Sequence, residues 1–394
     1  MSPTPVPHVR VQVDLTAIRD NVAVLRSRAH NADVMAVVKA DGYGHGLVPS
    51  ARAAKAGGAS WLGTAVLAEA LMLRDAGLSG PIMSWLYAPG ERFDDAIVAD
   101  VDLSAAARWT VDEIAAAARR VGRPARIHLK VDSGLGRSGA PIAVWEQLVD
   151  TALKAEADGL IRVVGLWSHF ALADAPSHPS VVRQFDVFTE AVELAEAKGV
   201  RPEVRHLANS AATLVRPETH FDLVRPGLAV YGLSPIPDQA TPAELGLRAA
   251  MSFRANLALV KRVPAGQGVS YGHKYVTDRE TNLALVPVGY ADGVPRHASG
   301  GDGSPGAPVL VGDRTHRIAG RVCMDQFVVD IGDTDSVAGQ EVVLFGDEAN
   351  GEPTAEDWAV ASGTISYEIV TRLAPRLPRT YLGEDEIGHG TAAG

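Results

Sequence analysis

Lys39 closes a continuous apolar run, Val34 to Val38, and opens a loop that holds Gly42, Tyr43, Gly44, His45 and Gly46. A lysine on the rim of a buried strand can be desolvated and its pKa lowered. A neutral amine at such a place can form a Schiff base near neutral pH. The competing reading is a lysine that ends a strand and points to water, the ordinary fate of this residue type. Lys39 gains meaning only from what else converges on it.

Convergence depends on the elements that carry the other polar residues. Short apolar runs recur at 34–38, 61–65, 81–86, 100–103, 126–131, 161–166, 203–207 and 221–224. Ala-rich, charged stretches with helical spacing separate most of them, such as 110–121, 143–157 and 181–198. About eight strand–helix units predict a (β/α)8 barrel; an open doubly wound sheet would show fewer. Barrel enzymes work at the C-terminal ends of their strands. Those ends carry Lys39 and Tyr43, then Asp132 and Arg137, Ser168 and His169, Asn209 and Ser210, and finally Arg225, Pro226 and Gly227. Structural strand ends are ordinarily Gly, Pro, Asp or Asn, so cations and a histidine gathered there predict one functional mouth.

The set implies a ligand. Ser210 and the turn at Gly227 suit a phosphate, because backbone N–H groups at a strand-to-helix turn bind dianions. With a Schiff-base lysine, this points to pyridoxal 5'-phosphate, whose ring delocalises a carbanion while the protein binds and orients it. An aldolase with a Schiff-base lysine and no cofactor competes with that reading. Gly134, Gly136 and Gly139 match the dinucleotide fingerprint G-x-G-x-x-G, which is weak alone. The acidic residue expected after the next strand is missing, and Arg137 occupies the turn, which suggests a carboxylate contact instead. Cys323 has no histidine among its neighbours and reads as a packed thiol.

Before the barrel, Val11 to Val13 read as a short strand. Asp14 reads as the N-cap of a helix with Leu15, Ile18, Val22 and Leu25 at helical spacing. Near residue 246 the character changes. Apolar β-branched runs at 257–263, 283–290, 308–311, 327–331 and 341–345 predict a mostly-β second domain, interrupted by one helix from about 354 to 372. The expected division is 1–245 and 246–394, and 394 residues exceed one ordinary core. The loop 299–308 and the tail after 382 read as mobile.

Composition narrows the class. Acidic residues outnumber basic ones 47 to 37, for a net charge of −10. That argues against a nucleic-acid footprint or an anionic membrane surface. The segment MSPTPVPHVR lacks an apolar core of signal length, and no apolar run reaches membrane-spanning length. One cysteine cannot form an intrachain disulfide, which fits a reducing cytoplasm.

At this point the chain resembles the alanine racemases. The segments that carry the resemblance are AVVKADGYGHG at 36–46, HLKVDSGLGRSG at 128–139, WSHFA at 167–171, ANSAA at 208–212, RPGLAVYG at 225–232, SYGHKY at 270–275, VGYADG at 288–293, RVCMDQ at 321–326 and TISYEI at 364–369. They run in order over nearly the whole length. The resemblance implies a (β/α)8 barrel plus a C-terminal β domain that strand 11–13 joins. It implies that Lys39 carries pyridoxal phosphate and exchanges the α-proton of D-alanine, while Tyr271 exchanges that of L-alanine. Racemisation needs a proton lost on one face and regained on the other, and one base per face avoids rotating the carbanion. A phenol with a pKa near ~10 is a poor base at pH 7, so Tyr271 must be activated; the resemblance offers His169 as its partner.

By the same resemblance, Arg225 faces the pyridine nitrogen, where an arginine does not readily give up its proton. Tyr43, Ser210, Gly227, Leu228 and Tyr367 fall at phosphate-cradle positions, with Asn209 beside them. Arg137 and the Met324 backbone fall at contacts to the substrate carboxylate. Lys130 matches a lysine carbamylated in some members, a change that would hold Arg137. Tyr271 and Met324 would reach the other subunit's barrel in a homodimer with shared sites. Ser133, Leu135, Ser366 and Trp85 depart from the family pattern without removing a chemical group. The implied role is supplying D-alanine for peptidoglycan. A decarboxylase of the same cofactor class, a broad-specificity amino-acid racemase, a non-enzymatic cofactor carrier and the cofactor-free aldolase are the alternatives. The RVCMDQ and SYGHKY segments argue against the decarboxylase, the second domain against the carrier, and Tyr271 and Arg225 would be idle in the aldolase.

Overall fold

The structure is a computed structural model that describes residues 8–387. The barrel is built from β2 (Asp33–Val37), β3 (Trp61–Thr64), β4 (Ile82–Ser84), β5 (Asp102–Ala105), β6 (Ala125–Lys130), β7 (Ile161–Trp167), β8 (Val204–His206) and β9 (Leu223–Val224). They pair in parallel in the order β8-β7-β6-β5-β4-β3-β2-β9. Hydrogen bonds from Asp222 N to Arg205 O (3.1 Å) and from Arg225 N to Ala208 O (2.9 Å) stitch β8 to β9 and close the ring. Every apolar run read as a barrel strand from the sequence lies on one of these eight. Short strands with both faces covered leave a continuous apolar run, which is why they were legible.

The helices between them bury one face each. Arg108–Val121 is helical from Thr110, Val111, Ile114, Ala115, Ala117 and Ala118, all buried, and stops at Gly122 in the left-handed region.

β1 (Val9–Asp14) precedes the barrel but does not belong to it. It pairs antiparallel with β10 (Met251–Asn256), Val11 opposite Phe253, and in parallel with Arg379–Leu382. The chain leaves the second sheet at Asp14, whose carboxylate accepts from Thr16 N and Ala17 N and starts helix Leu15–Arg28. That sheet has nine strands, and inward-facing Val11, Val13, Phe253, Phe327, Val329 and Leu344 build its core.

Two expectations change. The single helix over 354–372 is two, Ala355–Ser362 and Ser366–Thr371. Thr354 and Asp357 form a capping box at the start, and Gly363 at φ +67° ends the first helix in a left-handed cap. The loop 299–308 is partly ordered by a small hairpin, Gly300–Gly301 against Ser304–Pro305. The tail is described to Ile387, where Ile387 N donates to Gly383 O; the rest of it lies outside the described residues.

Candidate active site

After β2 the backbone turns left-handed. Ala40, Asp41, Gly42, Tyr43 and Gly44 all have positive φ, from +53° to +80°. For Ala, Asp and Tyr this costs about 1–2 kcal/mol each. Specific contacts hold it: Asp41 Oδ1 accepts from Leu47 N (2.7 Å), and Glu69 Oε1 accepts from Asp41 N (3.2 Å). His45 Nδ1 donates to the carbonyls of Gly42 and Tyr43, both at 3.0 Å. A Cβ on Gly44 would lie 2.4 Å from Val370 O, so the second domain's last helix presses on this turn. Lys39 stands at its start. Burial, then Arg137, lowers the pKa of its amine below the ordinary lysine value.

Arg225 follows β9 and is buried. It donates to Ser168 O (2.7 Å), Leu207 O (3.2 Å), His206 Nδ1 (3.1 Å) and His169 Nδ1 (3.3 Å). Burial brings it down to about 9. Among the described residues no carboxylate pairs with it. Lys130, at the end of β6, donates to Ser138 Oγ (2.6 Å) and lies 4.1 Å from the Trp167 ring centre. Burial, then Arg225 and Arg137, brings it down to about 7. His169 is held well below its ordinary value by burial and by Arg225, Lys130, Arg137 and Lys39. Arg137 is exposed, yet near enough to act on Lys39, Lys130 and His169. The barrel thus gathers these cations at one mouth, a field that favours an anionic ligand.

Beside them is a cradle. Ser210 Oγ accepts from Gly227 N (2.8 Å) and Ala229 N (3.3 Å). Asn209 caps the helix that Ser210 opens by accepting from Ala212 N (3.1 Å). A Cβ on Gly227 would lie 2.3 Å from the Tyr43 hydroxyl, so only glycine lets that phenol reach the turn. The Tyr43 ring is 4.9 Å from Tyr231 and 6.2 Å from Tyr367, and Leu228 is buried beneath. Burial raises the pKa of Tyr43, and that of Tyr367 to about 12, so both stay neutral hydroxyl donors.

The glycine-rich turn after β6 is no dinucleotide site. Asp132 Oδ1 accepts from the amides of Gly134 (2.9 Å), Leu135 (2.9 Å) and Gly136 (3.2 Å), which spends the donors a pyrophosphate would need. Cys323 is half-buried, with Sγ 3.3 Å from Ser270 Oγ, and among the described residues no histidine hydrogen-bonds to it.

Among the described residues, neither Tyr271 nor Met324 hydrogen-bonds to a residue of this mouth. They lie on loops of the second sheet and are 72% and 55% exposed. Ser270 (φ +60°), Gly272 and His273 (φ +44°) force the turn that presents Tyr271. A Cβ on Gly289 would lie 2.2 Å from Met324 O, which clamps the two motif loops together. Among the described residues no hydrogen bond joins Tyr271 to the barrel.

The sequence reading missed three buried residues. Asp102, His128 and His206 form a hydrogen-bonded row behind Arg225. Its available signal was Gly165, a glycine inside a strand, which marks a close approach.

The family model "Alanine racemase, N-terminal domain" matches residues 13–235, and "Alanine racemase, C-terminal domain" matches 250–381. The alanine racemase of Frankia casuarinae is 60% identical over 370 residues, covering 94% of this chain and 95% of that protein. That of Streptomyces coelicolor is 57% identical over 380 residues, covering 95% and 96%. The crystal structure of alanine racemase from D-cycloserine producing Streptomyces lavendulae superposes with a TM-score of 0.95 at 57% identity, covering 98% of this chain and all of that one. With both family models matched in order over one barrel and one β domain, this chain belongs to the alanine racemases.

Proposed function

We propose that this chain interconverts L- and D-alanine with pyridoxal 5'-phosphate, Lys39 and Tyr271 serving as bases on opposite faces. The observation that carries the reading is the barrel mouth, where Lys39, Lys130, Arg137, Arg225 and His169 converge beside a cradle that a single Cβ would fill. That site fits a phosphorylated aldehyde: an amine of lowered pKa, cations without a full complement of anions, and neutral hydroxyls at a glycine turn. Bound there, the cofactor would link to the amino group and delocalise the charge left when the Cα–H bond breaks.

The residues divide the remaining work. Tyr43, Ser210, Gly227, Leu228 and Tyr367 hold the phosphate, and Asn209 fixes the helix start that places Ser210. Arg225 would face the ring nitrogen as a donor that keeps its proton. Arg137 and the Met324 backbone hold the alanine carboxylate. Lys39 Nζ takes or returns the Cα proton on one face, and Tyr271 Oη does so on the other. A guanidinium only donates, so the His169 Nδ1 it contacts must be the acceptor. The proton of neutral His169 then sits on Nε2, a donor suited to stabilising the Tyr271 phenolate.

An exposed Tyr271 on a strained turn supports a homodimer in which each barrel receives Tyr271 and Met324 from its partner. Lys130 is the proposed carbamylation site. With its pKa near 7, its amine is substantially neutral at physiological pH and can attack CO2, losing a proton to leave an anion beside Arg137 and Arg225. We place the division between the units near residue 245, past the last match to the N-terminal family model. Family membership supports reading a cytoplasmic enzyme that supplies D-alanine for peptidoglycan.

The direct test is spectroscopic. Purified protein should carry an absorption band near ~420 nm that borohydride fixes on Lys39, located by peptide mass spectrometry. A colourless protein that racemises alanine without added cofactor would overturn the proposal.

A further inference from the structure

Arg126, His128 and Lys130 alternate along β6 and share the inner face of the barrel. Arg126 lies near the N-terminal mouth, Lys130 at the C-terminal one and His128 between them. His128 Nδ1 is 2.9 Å from His206 Nε2, and His128 Nε2 is 3.1 Å from Asp102 Oδ2. His206 Nδ1 is 3.1 Å from Arg225 Nη1. Both imidazoles are fully buried, and Asp102 is 2% exposed at the start of β5.

Donor chemistry gives this row one direction. Arg225 only donates, so His206 Nδ1 accepts. Neutral His206, held well below its ordinary pKa by burial and Arg225, then carries its proton on Nε2 and donates to His128 Nδ1. His128 therefore carries its proton on Nε2 and donates to the Asp102 carboxylate. Burial raises the pKa of Asp102, but the His128 hydrogen bond and Arg126 outweigh it and keep the carboxyl ionised. Arg126 grips both carboxylate oxygens, at 2.8 and 3.2 Å, and Glu203 braces Arg126 from outside.

Two local devices seat the row. The β6–β7 register shifts by one residue at His128, which sets Gly165 opposite it. A Cβ on Gly165 would lie 2.0 Å from His128 Nδ1, so no other residue leaves space for the ring. Trp167 stacks on His206 at 5.5 Å and 7°, and Trp61 meets His128 edge-on at 5.6 Å.

We propose that Asp102, His128 and His206 are positioning residues for racemisation: a one-directional hydrogen-bond chain through the barrel that orients the Arg225 guanidinium. The proposal rests on the assignment of Arg225 to the cofactor ring nitrogen. It makes a residue at the mouth opposite the chemistry part of the cofactor's surroundings.

The test uses the holoenzyme labelled with 15N-histidine, with Asp102→Leu, Asp102→Asn, Glu203→Gln and Arg225→Lys variants. In the parent, His128 and His206 should each show one tautomer, protonated on Nε2. Asp102→Leu removes the terminal acceptor and should mix those tautomers and alter the bound cofactor's absorption. It should lower kcat about tenfold, as loss of an outer hydrogen-bond partner does elsewhere, with KM for alanine held within about twofold. Asp102→Asn keeps an oxygen for His128 Nε2–H and should restore the tautomer and most of kcat. Glu203→Gln should change neither. A parent His206 protonated on Nδ1 would overturn the proposal. So would an Asp102→Leu enzyme that loses melting temperature while tautomers, absorption and kcat stay put. If Arg225→Lys leaves absorption and kcat unaltered, the assignment of Arg225 fails instead, while the parent tautomers still report the chain.

Discussion

A phenol that removes a proton from carbon must first lose its own, and under the proposed assignment that burden falls on Tyr271 on one side of the reaction. Tyr271→Phe should slow proton removal from L-alanine by roughly 10²–10⁴, the usual share of a general base. Exchange of the D-alanine α-proton, assigned to Lys39, should suffer far less. Single-turnover deuterium washout in each direction reads the difference, and equal losses would contradict the assignment of faces. Lys130 gives a second test through stability. Its folded pKa is about 7, while an unfolded lysine titrates near ~10.4. Between those values the unfolded chain binds more protons, so stability rises with pH across that window, and the burial penalty is complete below it. In CO2-free buffer, Lys130→Met should therefore stabilise more at pH ~6.5 than at pH ~9.5, as urea midpoints would show. With 13C-bicarbonate, the parent should show a carbamate carbon that the variant lacks.

Turns and caps decide how the elements present these groups. The left-handed turn from Ala40 to Gly44 follows Lys39 directly, and the second domain's Val370 and Arg379 hold that turn from behind. Gly227 is where cradle and turn meet. Gly227→Ala should push the Tyr43 phenol aside at a cost of about 1–3 kcal/mol of overpacking. The prediction is weaker cofactor retention with little change in helix content, measured by titrating apoenzyme with pyridoxal phosphate. An unchanged affinity would remove Tyr43 from the cradle. Gly363 acts differently, since it ends a helix that a continuous apolar pattern suggested would run to residue 372. The hydrophobic period survives across the break, so periodicity alone could not reveal it.

At the scale of the whole molecule, the barrel holds Lys39, one of the two proposed bases, and the second sheet exposes Tyr271, the other. Mixing Lys39→Ala and Tyr271→Phe chains tests whether two copies share sites. In a mixed dimer one site pairs both defects and the other pairs Lys39 with Tyr271 intact. Random reassociation should restore about a quarter of parental activity from two nearly inactive proteins, because half the dimers are mixed and each has one whole site. No recovery after unfolding and refolding together would argue that each chain supplies its own Tyr271.

The sequence by itself determined the eight barrel strands, the β-rich second unit, and the convergence of Lys39, Arg137, His169, Ser210 and Arg225 on one mouth. It could do so because strand periodicity is local and parallel topology delivers every C-terminal strand end to the same place. Tertiary structure alone decided three things. It showed that Asp132 fills the glycine-rich turn, that Tyr271 is largely exposed, and that Asp102, His128 and His206 line up behind Arg225. That alignment depends on a register shift and a missing Cβ at Gly165. Hydrogen bonds between strands 26 and 78 residues apart leave no period in the chain, so Lys39 could be found by reading, while a lone strand glycine, Gly165, was the only sign of the row behind Arg225.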